Sequence, residues 1–206
     1  MKKLLYSVVL AGVVACNGPA SAPETAQALP PSPAAASTTP ATEPAPAQTV
    51  RRFVTWYIQK ADSLPGNFVL NSEASDSTKF YAVDFPGTEE WLRAVQQSGT
   101  VSPAYLAQWR AYFRRYDDTL RLHPQNDGPP AGFDYDFLLL TQEAEETATD
   151  LQAGKFIVTQ QQGAHAHVQV RGPQHETYQA GLDFDLSQQA DGRWLIDKIS
   201  VPDNPQ

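Results

Sequence analysis

The 206-residue chain has one cysteine, a shortage of basic residues, and no apolar run of the roughly 18 residues that a membrane-spanning helix needs. A single cysteine cannot form an intrachain disulfide, and it excludes metal sites built from several thiolates. A net charge of -8 disfavours nucleic-acid binding, because phosphate contacts require a basic surface. We therefore expect no nucleic-acid partner and no transmembrane helix.

The first 15 residues have the arrangement of an export signal. Lys2 and Lys3 precede an apolar stretch over residues 4–14, which has the length of a signal-peptide core. Residues 13–16, Val-Val-Ala-Cys, resemble the lipobox of bacterial lipoproteins. The resemblance implies cleavage between Ala15 and Cys16 and acylation of Cys16, so that lipid (palmitate-type) chains hold the protein on a membrane. An ordinary secretory signal with an incidental cysteine is the alternative.

Residues 16–49 have the composition of a disordered linker. Eight of the 17 prolines lie here, mixed with Ala, Thr and Ser, and apolar residues that could form a core are scarce. Asn17 follows the lipidated position, where an aspartate would favour the inner membrane in enterobacteria. We therefore expect a lipid-anchored protein of the cell envelope, at the outer membrane and facing the periplasm.

Residues 50–203 have the pattern of an α+β domain, and residues 204–206 form a tail. Apolar residues recur at helical spacing from Val50, and Thr49 is the expected N-cap. A short strand is expected over residues 80–85. Further helices are expected from Thr88 and from Ser102, where serine precedes proline. Residues 133–152 remain ambiguous between strand and helix.

After Gly154 the apolar residues alternate with a period of two. This pattern predicts strands over residues 155–161, 164–171, 177–186 and 193–201, with glycine-containing turns between them. Tyr178, Leu182 and Phe184 are expected on the inner face. The fold class is therefore N-terminal helices packed on an antiparallel sheet. The polar outer face of that sheet favours a monomer.

Residues 50–57, 98–103, 132–136 and 192–199 resemble segments of a family of uncharacterised bacterial lipoproteins with the cone-shaped fold of nuclear transport factor two, also described as cystatin-like. The resemblance implies a curved antiparallel sheet wrapped around helices, with a pocket at the open end of the cone. This fold carries isomerases, dehydratases, ligand carriers and interaction modules, so it does not decide the activity.

Aromatic and acidic residues are the candidates for a pocket lining, because aromatic rings supply both packing area and stacking. The candidates are Trp56, Tyr57, Trp109, Tyr112, Asp134 and Asp136. The two aspartates could act as an acid–base pair, although a turn-capping role is the structural alternative. His165 and His167 share a strand face, but two histidines do not complete a zinc site, and no H-E-x-x-H is present. We expect no catalytic residue, metal or cofactor.

Three hypotheses about function follow. The main one is a membrane-tethered module that binds a small-molecule or protein ligand, without enzyme activity. The second is an inhibitor or immunity-type protein that blocks an envelope enzyme or toxin. The third is a pocket enzyme that uses an aspartate such as Asp134 as a general base, which requires that carboxylate to lie inside an apolar cavity.

Overall fold

The computed structural model describes residues 42–71 and 78–202. The predictions for the signal peptide, for Cys16, for the linker before residue 42 and for the tail 204–206 lie outside the described residues. The described residues belong to one compact unit. Its hydrophobic core is contributed by residues between Ala47 and Ile199. Because the unit holds its own core, it can fold independently.

Helix α1 spans Ala45–Lys60 and begins before the predicted start. Pro46 lies in its first turn, where the missing N–H of proline costs no hydrogen bond. Thr49 is therefore not the N-cap. Its hydroxyl lies 3.3 Å from the carbonyl oxygen of Trp194, inside the core. The proline had suggested linker, whereas the burial of Ala47 shows that this turn belongs to the domain.

Helices α2 and α3 follow a two-residue β-ladder. Strands β1 (Val69–Leu70) and β2 (Ala82–Val83) pair antiparallel, so the predicted strand over residues 80–85 is shorter than expected. Helix α2 spans Phe85–Gln96 and is capped by Asp84 rather than Thr88. Helix α3 spans Pro103–Leu122, and the hydroxyl of Ser102 accepts a 3.2 Å hydrogen bond from the backbone N–H of Tyr105. The Ser-Pro start of α3 is thereby confirmed.

The ambiguous segment divides into a turn and a fourth helix. An isolated antiparallel bridge joins Asp136 to Thr141, and helix α4 spans Ala144–Ala153. In the two described stretches, no helix combines the length and the apolar character needed to cross a membrane.

Four strands form the predicted antiparallel meander, in the order β3-β4-β5-β6. They are β3 (Lys155–Gln162), β4 (His165–Gln174), β5 (Gln179–Gln188) and β6 (Trp194–Ser200). Residues 100–102 run along the outer edge of β6. The backbone N–H of Ser102 donates to the carbonyl of Ile196 at 2.9 Å, and the Ile196 N–H donates to Thr100 at 2.8 Å. The protein therefore has an α+β fold with helices packed on an antiparallel sheet.

The core has a sheet side and an aromatic side. Phe53 of α1 packs edge-on against Phe184 of β5, with ring centres 6.1 Å apart. Further along, Trp91, Trp109 and Phe137 form a continuous aromatic cluster between α2, α3 and the loop after α3. The expectation that Tyr178 faces inward is wrong, because it precedes β5, is 39% exposed and stacks on His175.

Candidate functional site

A cavity of about 480 Å³ lies where α3 meets β6 and the loop before α4. Helix α3 supplies one wall because residues spaced by three or four positions share a helix face. Gln108 fixes this helix to the sheet, since its Nε2 donates a 2.8 Å hydrogen bond to the backbone carbonyl of Asp197. The residues that line the cavity are Tyr105, Gln108, Trp109, Ala111, Tyr112, Arg115, Tyr135, Leu140, Lys198 and Ile199.

The aromatic wall is held in place by a chain of hydroxyl groups. The Tyr135 hydroxyl donates to the Tyr112 hydroxyl at 2.9 Å, and the Tyr112 hydroxyl donates to the backbone carbonyl of Gly132 at 2.7 Å. Burial raises the pKa of Tyr112, and the hydrogen bond with Tyr135 raises it further. Both phenols therefore stay neutral and keep their rings in a fixed orientation at physiological pH.

Gly132 allows this close approach of the loop to α3. Its φ is +81°, and a Cβ atom at this position would lie 2.1 Å from Cε1 of Tyr116. No other residue could occupy the position without moving that ring. The loop can thus bring the carbonyl oxygen of Gly132 within hydrogen-bond distance of the Tyr112 hydroxyl.

Leu140 reaches the cavity from a strained backbone. Its φ is 56°, in the left-handed region, which costs a residue with a Cβ atom roughly 1–2 kcal/mol. The turn is fixed because the Leu140 N–H donates to the carbonyl of Asp136 and the Asp136 N–H donates to Thr141, both at 2.8 Å. Backbone strain of this kind concentrates at functional sites.

Tyr105 lies at the base of the cavity wall and is 3% exposed. Its hydroxyl is buried and has no hydrogen-bond partner among the described residues. Burial raises the pKa of Tyr105, while the nearby indole of Trp109 opposes the rise. An unpaired buried hydroxyl is unfavourable. Tyr105 therefore adds one polar group to a wall that is otherwise mainly aromatic.

Two cations complete the lining. The Arg115 guanidinium carbon lies 5.4 Å from the ring centre of Tyr112 and 5.2 Å from that of Tyr116. Lys198 lines the cavity from β6, where it lies opposite Asp185 of β5, and Asp185 does not line the cavity. Of the described residues that line the cavity, none carries a carboxylate. The site thus combines flat aromatic rings with two positive charges.

Of the six candidates from the sequence, Trp109 and Tyr112 line the cavity and four do not. Tyr57 is buried in the core, and its hydroxyl donates to Oδ2 of Asp136 at 2.9 Å. Asp136 also accepts the backbone N–H groups of Leu138 and Leu139 through Oδ1, at 2.8 and 2.7 Å. Asp136 therefore caps the turn that carries Leu140.

The other two candidates lie at the surface or beside the core. Asp134 is exposed, and its Oδ2 accepts a long 3.4 Å hydrogen bond from Gln142. Trp56 is half-buried and packs against Phe53, with ring centres 6.1 Å apart. Neither aspartate is placed at the cavity wall, which is the position that the general-base hypothesis requires.

His167 on β4 and His175 just after it take part in ion pairs with aspartates. His167 Nδ1 is 2.8 Å from Oδ1 of Asp185, and its Nε2 is 3.7 Å from Oδ2 of Asp183. His175 instead contacts Asp150 at 2.8 Å. Across residues 42–71 and 78–202, no group of three or more His, Cys, Asp or Glu side chains is arranged to hold a metal ion.

Sequence reasoning did not select Tyr105, Arg115, Tyr135 or Lys198. A signal existed for Arg115, which follows Tyr112 by three positions and so continues the aromatic face of α3. Tyr135 lies between the two selected aspartates. No local signal marks Lys198, because only the tertiary fold brings β6 against α3.

A scan against protein-family models finds no match, and a search of the curated proteins finds none. Among solved structures, the chain is similar to a chain in the crystal structure of the type VI effector-immunity complex Tae3-Tai3 from Ralstonia pickettii. The identity is 19% over 78% of this chain and 99% of that chain, with a TM-score of 0.41. Similarity at this level assigns neither a function nor a partner to the present chain.

Proposed function

We propose that this protein is a lipid-anchored binding module of the bacterial envelope, and that the cavity between α3 and β6 is its ligand site. The observation that carries the proposal is the preformed aromatic wall, in which Tyr112 and Tyr135 are already fixed by hydrogen bonds before any ligand arrives. A wall of this kind binds well because little side-chain freedom is lost on association. The volume of about 480 Å³ lies within the usual range for small-molecule pockets.

The wall also favours recognition over chemistry. The hydroxyls of Tyr112 and Tyr135 each donate to a fixed protein acceptor, so their protons are committed to the fold. Asp136, the carboxylate nearest to a buried phenol, is engaged by two backbone N–H groups and by Tyr57. The two hydroxyls and the carboxylate therefore stabilise the conformation of the cavity wall.

The test uses two tryptophan substitutions on α3. Ala111 is exposed and lines the cavity, whereas Ala107 is exposed one turn earlier and does not line it. Ala111→Trp should fill the cavity, and Ala107→Trp adds the same side chain elsewhere on the helix. Each full-length chain would be isolated from the envelope of its host under non-denaturing conditions and measured by native mass spectrometry.

We expect a small copurifying mass on the wild-type chain and on Ala107→Trp, and its loss from Ala111→Trp. The same mass on all three chains would place the ligand elsewhere. A second result would refute a ligand role for this cavity: no copurifying mass on any of the three chains, together with equal binding of added small molecules by the wild type and Ala111→Trp.

The membrane anchor is the second element of the proposal. Two or more acyl chains on Cys16 would hold the domain stably, because each buried methylene contributes about 0.8 kcal/mol. Cys16→Ser should move the protein from the membrane fraction and abolish metabolic labelling with an alkyne-bearing palmitate. An unlabelled wild-type chain would contradict lipidation, while leaving the cavity proposal intact.

A second candidate function is an inhibitor of the immunity type, which blocks an envelope enzyme or toxin. The observation that favours it is the polar outer face of the sheet, where the exposed side chain of Ile157 lies opposite Gln169, on the face that carries His167 and the Arg171–Asp183 ion pair. An apolar residue within a polar rim is common at protein interfaces. In the same native spectra, a stoichiometric protein partner that is lost on Ile157→Lys but kept on Ala111→Trp would favour this candidate.

A further inference from the structure

We infer that the ligand of the cavity is an organic anion with a flat apolar body, and that Arg115 and Lys198 bind its charged group. This inference rests on the proposed function and adds the chemical class of the ligand. Three features support it: the sign of the charge at the cavity, the orientation of Arg115, and the apolar surface beside both cations.

The charge at the cavity is opposite to that of the whole chain. The protein carries 23 acidic residues against 15 lysines and arginines. On the same helix, Arg110 holds Glu89 at 2.7 Å and Arg121 holds Asp117 at 2.5 Å. Arg115 makes no ion pair with any described carboxylate, and it lines the cavity together with Lys198. Because no described residue of the cavity lining carries a carboxylate, an anionic ligand would supply the opposite charge that Arg115 and Lys198 lack within the cavity.

The guanidinium of Arg115 lies over two aromatic rings. Its guanidinium lies over Tyr112 and Tyr116, whose ring centres are only 4.4 Å apart. Stacking orients a guanidinium while leaving its N–H edge free, and that edge matches a carboxylate with two parallel hydrogen bonds. The charge of Arg115 also acts at the cavity wall. Burial raises the pKa of Tyr135, and the positive charge of Arg115 offsets part of that rise. Arg115 is therefore preorganised for an anion.

An apolar surface lies beside the two cations. Tyr112, Leu140 and Ile199 line the same cavity. Leu140 is held there at a positive φ, so its position at the wall is maintained against local backbone preference. A ligand that uses both parts of the site must carry its negative charge at one end of a flat or apolar body. Aromatic carboxylates have this form.

The test compares two probes that differ in charge but have nearly the same shape, 2-naphthoate and 2-naphthamide. Binding to the domain of residues 42–206 would be followed by isothermal titration calorimetry. We expect the carboxylate to bind about tenfold or more tightly than the amide, because only the anion engages the two cations. Raising the salt concentration should weaken the binding of the carboxylate and leave that of the amide unchanged.

Substitutions then identify the cations. Arg115→Gln and Lys198→Gln should each weaken 2-naphthoate binding about fivefold or more without affecting 2-naphthamide. Arg115→Lys should retain part of the affinity, because it keeps the charge but loses the planar fork. Arg114→Gln is the matched control: Arg114 is adjacent on α3 and exposed, but it does not line the cavity. Since the two cations lie on different elements, a folding defect in one variant leaves the other as a test.

Each alternative outcome is informative. Equal binding of both probes, blocked by Ala111→Trp, would overturn the charge preference and leave the binding function standing. Equal effects of Arg114→Gln and Arg115→Gln would overturn the role of Arg115, because they would indicate non-specific attraction. No binding of either probe at millimolar concentration would overturn the inference. If the native mass spectra also showed no copurifying small mass, the proposed binding function of the cavity would be refuted as well.

Discussion

Replacing Asp136 with alanine should destabilise the domain and loosen the cavity wall at the same time. The carboxylate accepts three hydrogen bonds, from Tyr57 at 2.9 Å and from the N–H groups of Leu138 and Leu139 at 2.8 and 2.7 Å. A hydrogen bond to a charged group contributes about 1.5–3 kcal/mol net. Because Asp136 is only half-buried, water can replace part of this contribution at the turn.

The larger part of the cost arises at Tyr57. This residue is 3% exposed, so its hydroxyl would remain buried without an acceptor, at a cost of about 1–3 kcal/mol. Together with the two turn hydrogen bonds, we expect Asp136→Ala to lower the free energy of unfolding by about 3–5 kcal/mol. Asp136→Asn keeps an oxygen for the two N–H groups and should cost about 1–2 kcal/mol.

Urea denaturation of residues 42–206, followed by tryptophan fluorescence and circular dichroism, measures these values. Tyr57→Phe in the Asp136→Ala background should cost little, because the buried hydroxyl is then gone, whereas in the wild type it should cost about 1 kcal/mol. The Asp136→Ala variant should also bind 2-naphthoate more weakly, since Asp136 fixes the turn that carries Leu140. A loss below about 1 kcal/mol for Asp136→Ala, or additive effects in the cycle, would refute this account of the turn.

Two further predictions concern the cavity wall and the buried phenols. Gly132→Ala should destabilise the domain by about 2 kcal/mol or more in a thermal melt, since its Cβ would meet the Tyr116 ring at a φ of +81°; a neutral effect would mean that the loop is free to move. Burial raises the pKa of Tyr57, Tyr105 and Tyr112 above the ordinary value of 10.0. Above a pH of about 10 the tyrosines ionise in the unfolded chain but stay neutral in the folded one. The free energy of unfolding should therefore fall as the pH rises above about 10. Urea titrations at several alkaline pH values should show a steepening loss, and Tyr57→Phe should reduce its slope; equal slopes would contradict the assignment.

The parts of the fold that the sequence predicts are those specified by local chemistry. Ser102 and Pro103 start α3 because one side chain caps the helix and the next residue needs no N–H partner. The meander follows from the period of two and from turns at Gly163 and Gly192, both of which have positive φ. The start of α1 was missed because Pro46 signals both linker and first helical turn, and only burial separates the two.

The cavity was harder to predict because its residues come from distant segments. Trp109 and Tyr112 were selected as aromatic residues, but their cationic neighbour Arg115 lines the same cavity and was not selected. In the segment Asp134-Tyr135-Asp136 the two acidic residues attracted attention, yet the tyrosine between them lines the cavity. The D-x-D spacing carries no information about which side of the chain faces a cavity.

The pairing of residues 100–102 with β6 makes the two edges of the sheet different. At Ile196, the outer side of β6 is occupied by hydrogen bonds with Thr100 and Ser102, whereas β3 pairs on one side only within the described parts of the chain. Two copies that met through β3 would use the same strand on each, around a twofold axis, and would leave no free β3 edge. An assembly formed in this way is limited to two copies, because the β3 edge of each copy is then used and cannot pair with a third.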